Sequence, residues 1–175
     1  MPNWVTNKVK ITKRQNEILE YIKSEDSDFD FNKIIPMPET IFRGDIGRKE
    51  KEEYGDNNWY TWCVNNWGTK WNATEVSVVE GSATEDKIIL FNTAWATPMP
   101  IMFALSKKFS DVEFEIAYAD EDIGNNCGNI TLLNGEVIFD EDILAGTPEA
   151  RKFALGVIYG EDADLELLEK ELIEY

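Results

Sequence analysis

Val112, Phe114, Ile116 and Tyr118 alternate with Glu113 and Glu115. That two-residue period puts apolar side chains on one face of a β-strand and carboxylates on the other. A strand of this kind needs a sheet with one packed face and one wetted face, and an antiparallel sheet backed by helices provides it. Val5, Val9 and Ile11 repeat the pattern against Trp4, Thr6, Lys8 and Lys10, which predicts a second such strand over residues 3–11.

Between these strands the helical signals are ordered. Thr12-Lys13-Arg14-Gln15 fits a capping box, and Ile18, Leu19 and Ile22 follow at helical spacing, so a helix is expected over about 13–23. Pro36-Met37-Pro38 forbids a central strand, and residues 40–57 read as a surface loop or short exposed helix. Trp59, Tyr60, Trp62 and Trp67 lead to Gly68 as a short helix, followed by a strand over about 71–80. The apolar run 88–95 suits a central strand covered on both sides. Pro98 and Pro100 open a helix whose Ile101, Met102, Leu105 and Phe109 share a face.

Asn134-Gly135 between two apolar runs is a hairpin signal, because both residues accept the positive φ of a type I′ turn. Thr147-Pro148 then starts a helix with Ala150, Phe153, Ala154, Val157 and Ile158 as its apolar stripe, ending at Gly160. A last acidic helix over about 163–174 carries Leu165, Leu168 and Leu172 on one side. The order predicts an α+β fold: a ferredoxin-like βαββαβ sandwich with an inserted aromatic helical segment, a C-terminal β-hairpin and two C-terminal helices. Residues 1–140 form the ferredoxin-like domain with its hairpin, and 141–175 form an acidic helical appendage packed on it.

Four separated motifs occur in order: Met1-Pro2-Asn3-Trp4 with Asn7, Ile34-Ile35-Pro36-Met37-Pro38, Asn66-Trp67-Gly68-Thr69-Lys70-Trp71-Asn72, and Phe91-Asn92-Thr93-Ala94-Trp95 with Pro98 and Pro100. Over roughly residues 1–133 the chain resembles the YubB-like ferredoxin-fold family of small phage and plasmid proteins. The resemblance implies the fold and a mobile-element origin. It implies no iron-sulfur cluster despite the fold's name, and no catalytic residues, since the family has no established activity. Relatives often carry Cys after the first Trp, where this chain has Val5, and the acidic tail beyond about residue 140 lies outside the shared pattern.

The chemistry the residues permit is narrow. There is no histidine, so the usual general base and commonest metal ligand are missing. Two cysteines, Cys63 and Cys127, fall short of the four thiolates of a cluster or thiolate zinc site and read as buried apolar residues. No cofactor is expected. Asp120-Glu121-Asp122 followed by Gly124 and two asparagines resembles a calcium loop only loosely and reads as a solvated loop, so no metal is assigned.

Charge is the remaining signal. The chain carries 34 acids and 17 bases, and residues 111–175 hold 18 of the acids but three of the bases. Such a field repels nucleic acid and anionic lipid and draws in basic surfaces. The expectation is a non-catalytic accessory protein in the cytoplasm of a bacterial host. It would bind the basic surface of a nucleic-acid-handling protein, acting in part as a nucleic-acid mimic and anti-defence inhibitor of the anti-CRISPR kind. Asp120, Glu121, Asp122, Asp140, Glu141 and Asp142 would contact that partner, together with Asp162, Asp164, Glu166, Glu169 and Glu171 of the last helix. The alternative is a small-ligand protein or carboxylate-based enzyme with a pocket at Trp67, Asn72 and Trp95. In that region a packed core, with asparagines accepting the indole N–H groups, competes with a ligand platform. Self-assembly through the free hairpin edge near 130–139 is a third reading, and the oligomeric state is left open.

Overall fold

The computed structural model of the protein describes residues 2–81, 86–141 and 143–160. Its strands are β1 (Trp4–Ile11), β2 (Thr74–Glu80), β3 (Lys87–Ala94), β4 (Phe114–Asp120), β5 (Cys127–Leu133) and β6 (Glu136–Glu141). Its helices are α1 (Gln15–Ile22), α2 (Arg48–Tyr54), α3 (Trp59–Trp67), α4 (Met99–Lys108) and α5 (Pro148–Tyr159).

The six strands form one sheet in the order β2-β3-β1-β4-β5-β6, with every neighbouring pair antiparallel. Taken from β4, the first four run β4-β1-β3-β2, with α1 joining β1 to β2 and α4 joining β3 to β4. That is the ferredoxin-like βαββαβ arrangement expected from the sequence, with α2 and α3 inserted before β2 and the β5–β6 hairpin added beside β4. Asn134 and Gly135 take φ of 53° and 74° at the hairpin tip, as a type I′ turn requires. The Gly135 N–H also donates to Ser106 Oγ at 3.0 Å, pinning the tip to α4.

Alternation decides the two faces. Val9 and Ile11 of β1, Ile89 and Phe91 of β3, and Phe114 and Ile116 of β4 point to one side. There they meet Ile18 and Ile22 of α1 and Ile101, Met102 and Leu105 of α4. Each such side chain, fully withdrawn from water, contributes about 1.5–3 kcal/mol. Ala119 and Cys127 lie on the opposite face, where Ala150, Ala154 and Val157 of α5 cover them in a second, smaller cluster. Both cysteines are buried and free.

Two local expectations are corrected. The Thr12 capping box does not form: α1 starts at Gln15, and Gln15 Nε2 donates to the Thr12 carbonyl. Arg14, at φ 53°, precedes the helix instead, and its guanidinium bonds Glu17 at 2.7 and 2.8 Å and Asp111 at 2.6 Å. The helix therefore starts without a side-chain cap, and surface ion pairs tie the residue before it to Glu17 and to the distant Asp111. The second concerns β3, expected to be covered on both sides: Ile89, Phe91 and Thr93 are buried, but Ile88 and Leu90 on the other parity are half-buried. The expected last helix, 163–174, and Asp142 lie outside the described residues.

Candidate functional site

Asn58 caps α3 by accepting the Thr61 N–H at 3.0 Å, and Gly68, at φ 78°, ends the helix. Within it Trp59, Cys63 and Trp67 stand four residues apart and so share one face. That face forms one wall of a cavity of about 260 Å³. Trp62, one residue off that series, packs edge-on against Trp67 with centroids 5.4 Å apart.

The opposite wall comes from the segment after α1. Asp30 caps a short 3₁₀ turn at Phe31–Lys33 by accepting the Asn32 N–H. Asn32 and Met37 then line the cavity, held by the Met37 N–H donating to Asn32 Oδ1 at 3.2 Å. Trp67 Nε1 donates to the Ile35 carbonyl at 2.9 Å, and Trp59 Nε1 donates to the Gly44 carbonyl at 3.1 Å. Both indole N–H groups are therefore satisfied by backbone carbonyls, not by the asparagines expected from sequence; Trp67 is buried in the core, and Trp59, half-buried, offers aromatic surface. Arg43 is brought to the rim by a bridge between Phe42 and Asn58 and bonds the Met37 carbonyl.

The third side is Lys70-Trp71-Asn72. Thr69 Oγ donates to the Ala94 carbonyl at 2.7 Å, fastening this loop to the end of β3. Lys70 Nζ lies 4.2 Å from the Trp71 ring centroid and 5.4 Å from that of Trp95. Neither Arg43 nor Lys70 makes an ion pair among the described residues, and no carboxylate lines the cavity. Lys10, Arg14, Lys23, Arg48 and Lys87 are paired with acids, whereas the two cations at this cavity are not.

The structure separates the three residues of the predicted ligand pocket. Trp67 lines the cavity. Asn72 does too, but its amide is spent on structure: Oδ1 accepts the N–H groups of Phe31 and Ala73, and Nδ2 donates to Asp30 at 2.7 Å. Burial pushes the Asp30 carboxyl up, yet the hydrogen bonds from Asn72, Asn32 and Ser24 outweigh it and hold the group below the usual range. Trp95 is not in the wall; it turns outward at φ 73°, 41% exposed, edge-on to Tyr60. The lining members that sequence reasoning missed are Asn32, Met37, Arg43, Trp59 and Cys63. The i, i+4, i+8 series of Trp59, Cys63 and Trp67 was the available signal, whereas nothing local marks Arg43. Burial drives the Cys63 thiol up to about 11, which argues against a nucleophilic thiolate in this cavity.

The acidic clusters lie at the same end of the sheet as the cavity loop: the Glu121 N–H donates to the Trp4 carbonyl, and the Trp4 ring packs on Trp71 with centroids 5.8 Å apart. Asp120 is buried, not a surface contact as expected: it accepts hydrogen bonds from Asn3, Asn126 and the Asp122 N–H, and so organises the β4–β5 loop. Glu121, Asp122, Asp140 and Glu141 are exposed. β5 leaves that loop at Cys127 and pairs Asn129 with Glu141, so both clusters gather at one end of the sheet. Between Glu136 and Asp140, Val137, Ile138 and Phe139 are 47%, 51% and 49% exposed on the edge strand β6. Asp162, Asp164, Glu166, Glu169 and Glu171 lie outside the described residues.

Among the described residues no helix is long and apolar enough to cross a membrane, and no group of three potential metal ligands clusters. Comparison with known proteins gives a family model described as a ferredoxin-like domain in Api92-like protein, matched over residues 66–154. A crystal structure of a protein api92 from Yersinia pseudotuberculosis is similar at 17% identity and a TM-score of 0.47, covering 67% of this chain and 40% of that one. The chain thus spans less than half the length of that protein. No curated protein matches.

Proposed function

Since this chain belongs to the family of ferredoxin-like domains found in Api92-like proteins, we propose a function carried on the surface of that fold: it acts by binding, with the acidic edge strand β6 as its docking surface. The partner is the basic surface of a nucleic-acid-handling protein. We include in the proposal the YubB-like kinship, the phage or plasmid origin, and an anti-defence role in the cytoplasm of a bacterial host.

The supporting observation is that an edge strand exposes three consecutive apolar residues, Val137, Ile138 and Phe139, with Glu136 and Asp140-Glu141 on either side. An open edge strand is a template for pairing with a further strand. Its flanking carboxylates, with Glu121 and Asp122 nearby, favour a basic partner through steering. They disfavour a second copy of the chain. In an antiparallel self-pair centred on Ile138 and Phe139, Glu136 would stand opposite Glu141, and like charges directly opposite are destabilising.

The test is retention of nucleic-acid-binding proteins from a bacterial lysate by immobilised protein, followed by a salt titration of each retained pair. Ile138→Ser with Phe139→Ser should speed dissociation. Glu121→Gln, Asp122→Asn, Asp140→Asn and Glu141→Gln together should slow association and flatten the salt dependence. A companion variant neutralising Asp162, Asp164, Glu166, Glu169 and Glu171 separates the tail from the strand. Equal retention by all variants, or binding insensitive to salt, would sink the reading.

A further inference from the structure

We propose that the cavity between α3 and the 31–44 segment is a binding site for a small planar aromatic anion: one ring system carrying a single phosphate or carboxylate. The site is separate from β6 and does not depend on the partner-binding reading.

Each feature of the cavity narrows the ligand. Trp59 and Trp67 have committed their N–H groups to the Gly44 and Ile35 carbonyls; Trp67, 3% exposed, forms the floor, and the half-buried Trp59 ring is the one that recognises by stacking and edge contact. That selects a flat ring and is indifferent to its hydrogen-bonding pattern. Arg43 and Lys70 supply two positive charges without an acidic partner, and no carboxylate in the wall opposes an incoming anion. Asp30, behind Asn72, has its Oδ1 occupied by Asn72 and Asn32. Lys70 is held by the Trp71 and Trp95 rings rather than by a salt bridge, so its ammonium keeps its charge available to a ligand.

Size and field exclude larger ligands. The volume of about 260 Å³ falls below the ~300–1,000 Å³ typical of drug-sized ligands. A nucleic-acid strand needs a basic track along its backbone, and two cations on a chain of net charge −17 provide none. A free small anion brings its charge, one for a carboxylate and nearly two for a phosphate monoester, to one place, which matches the pair Arg43 and Lys70.

The experiment is isothermal titration of the full chain with four probes: AMP, indole-3-acetate, adenosine and inorganic phosphate. AMP, indole-3-acetate or both should bind about tenfold or more tightly than adenosine and phosphate, and which of the two binds tells phosphate from carboxylate. Arg43→Gln and Lys70→Gln should each weaken that binding about tenfold with circular dichroism unchanged. Arg43 is exposed, so its variant keeps the test valid if the Lys70 variant misfolds. No saturable binding of any probe at millimolar concentration would overturn the proposal. So would adenosine binding as tightly as AMP, or binding that survives both substitutions.

Discussion

Asn72 Nδ2 donates to the Asp30 carboxylate at 2.7 Å, and through that contact the loop entering β2 holds the turn that follows α1. The same amide accepts the N–H groups of Phe31 and Ala73, so one side chain joins segments 41 and 42 residues apart. Asn72→Ala would strand two backbone donors and weaken the hydrogen bonding of a charged group. It should lower unfolding free energy by about 3 kcal/mol, measured by urea denaturation. A loss under about 0.5 kcal/mol would show that water replaces the amide at no cost.

Asp30 predicts a pH dependence. Its carboxyl is held below the ordinary value of 3.8, so the folded state binds its proton less readily than the unfolded chain. The stabilisation is fully present above that ordinary value and is lost as pH falls through the lower folded value. Asp30→Asn should therefore flatten the stability profile below about pH 4, while the native protein loses stability there. Parallel acid-denaturation curves for the two proteins would contradict this.

Gly68 ends α3 at φ 78°, and a Cβ built there would stand 2.8 Å from Pro100 Cδ. Gly68→Ala combines left-handed strain with a clash against a rigid ring. Thermal unfolding should reveal a destabilisation of about 2 kcal/mol. Displacing α3 also moves the Trp59 and Trp67 rings, so a tryptophan emission shift should accompany it.

Burial raises the thiol pKa of Cys63, to about 11, and of Cys127. Neither should react with a thiol reagent such as Ellman's at neutral pH in the native protein, whereas both should titrate in denaturant. Rapid labelling of Cys63 in the folded state would mean that the cavity opens far enough to expose it.

The opposed Glu136 and Glu141 of a self-paired β6 predict a monomer at low ionic strength. Sedimentation velocity across a salt series checks this. A dimer at low salt that Phe139→Ser abolishes would replace the heterologous partner with a second copy.

Alternation in β1 and β4, the turn residues Asn134-Gly135 and the prolines opening α4 and α5 were legible because each acts within a few residues: side-chain period, positive φ and a missing N–H are properties of the local chain. Those features alone implied a ferredoxin-like sheet with a hairpin beside it. What tertiary structure decided involves residues far apart in the chain. Asp120 looked like surface charge until Asn3 and Asn126 converged on it, and Gln15 of the expected capping box bonds the Thr12 carbonyl while Arg14 reaches Asp111. Trp95 left the aromatic group because its backbone turns outward, while Arg43 joined the cavity because Phe42 bridges Asn58. Which carboxylates are buried, and which cations stay unpaired, depends on through-space distances that one-dimensional spacing does not encode.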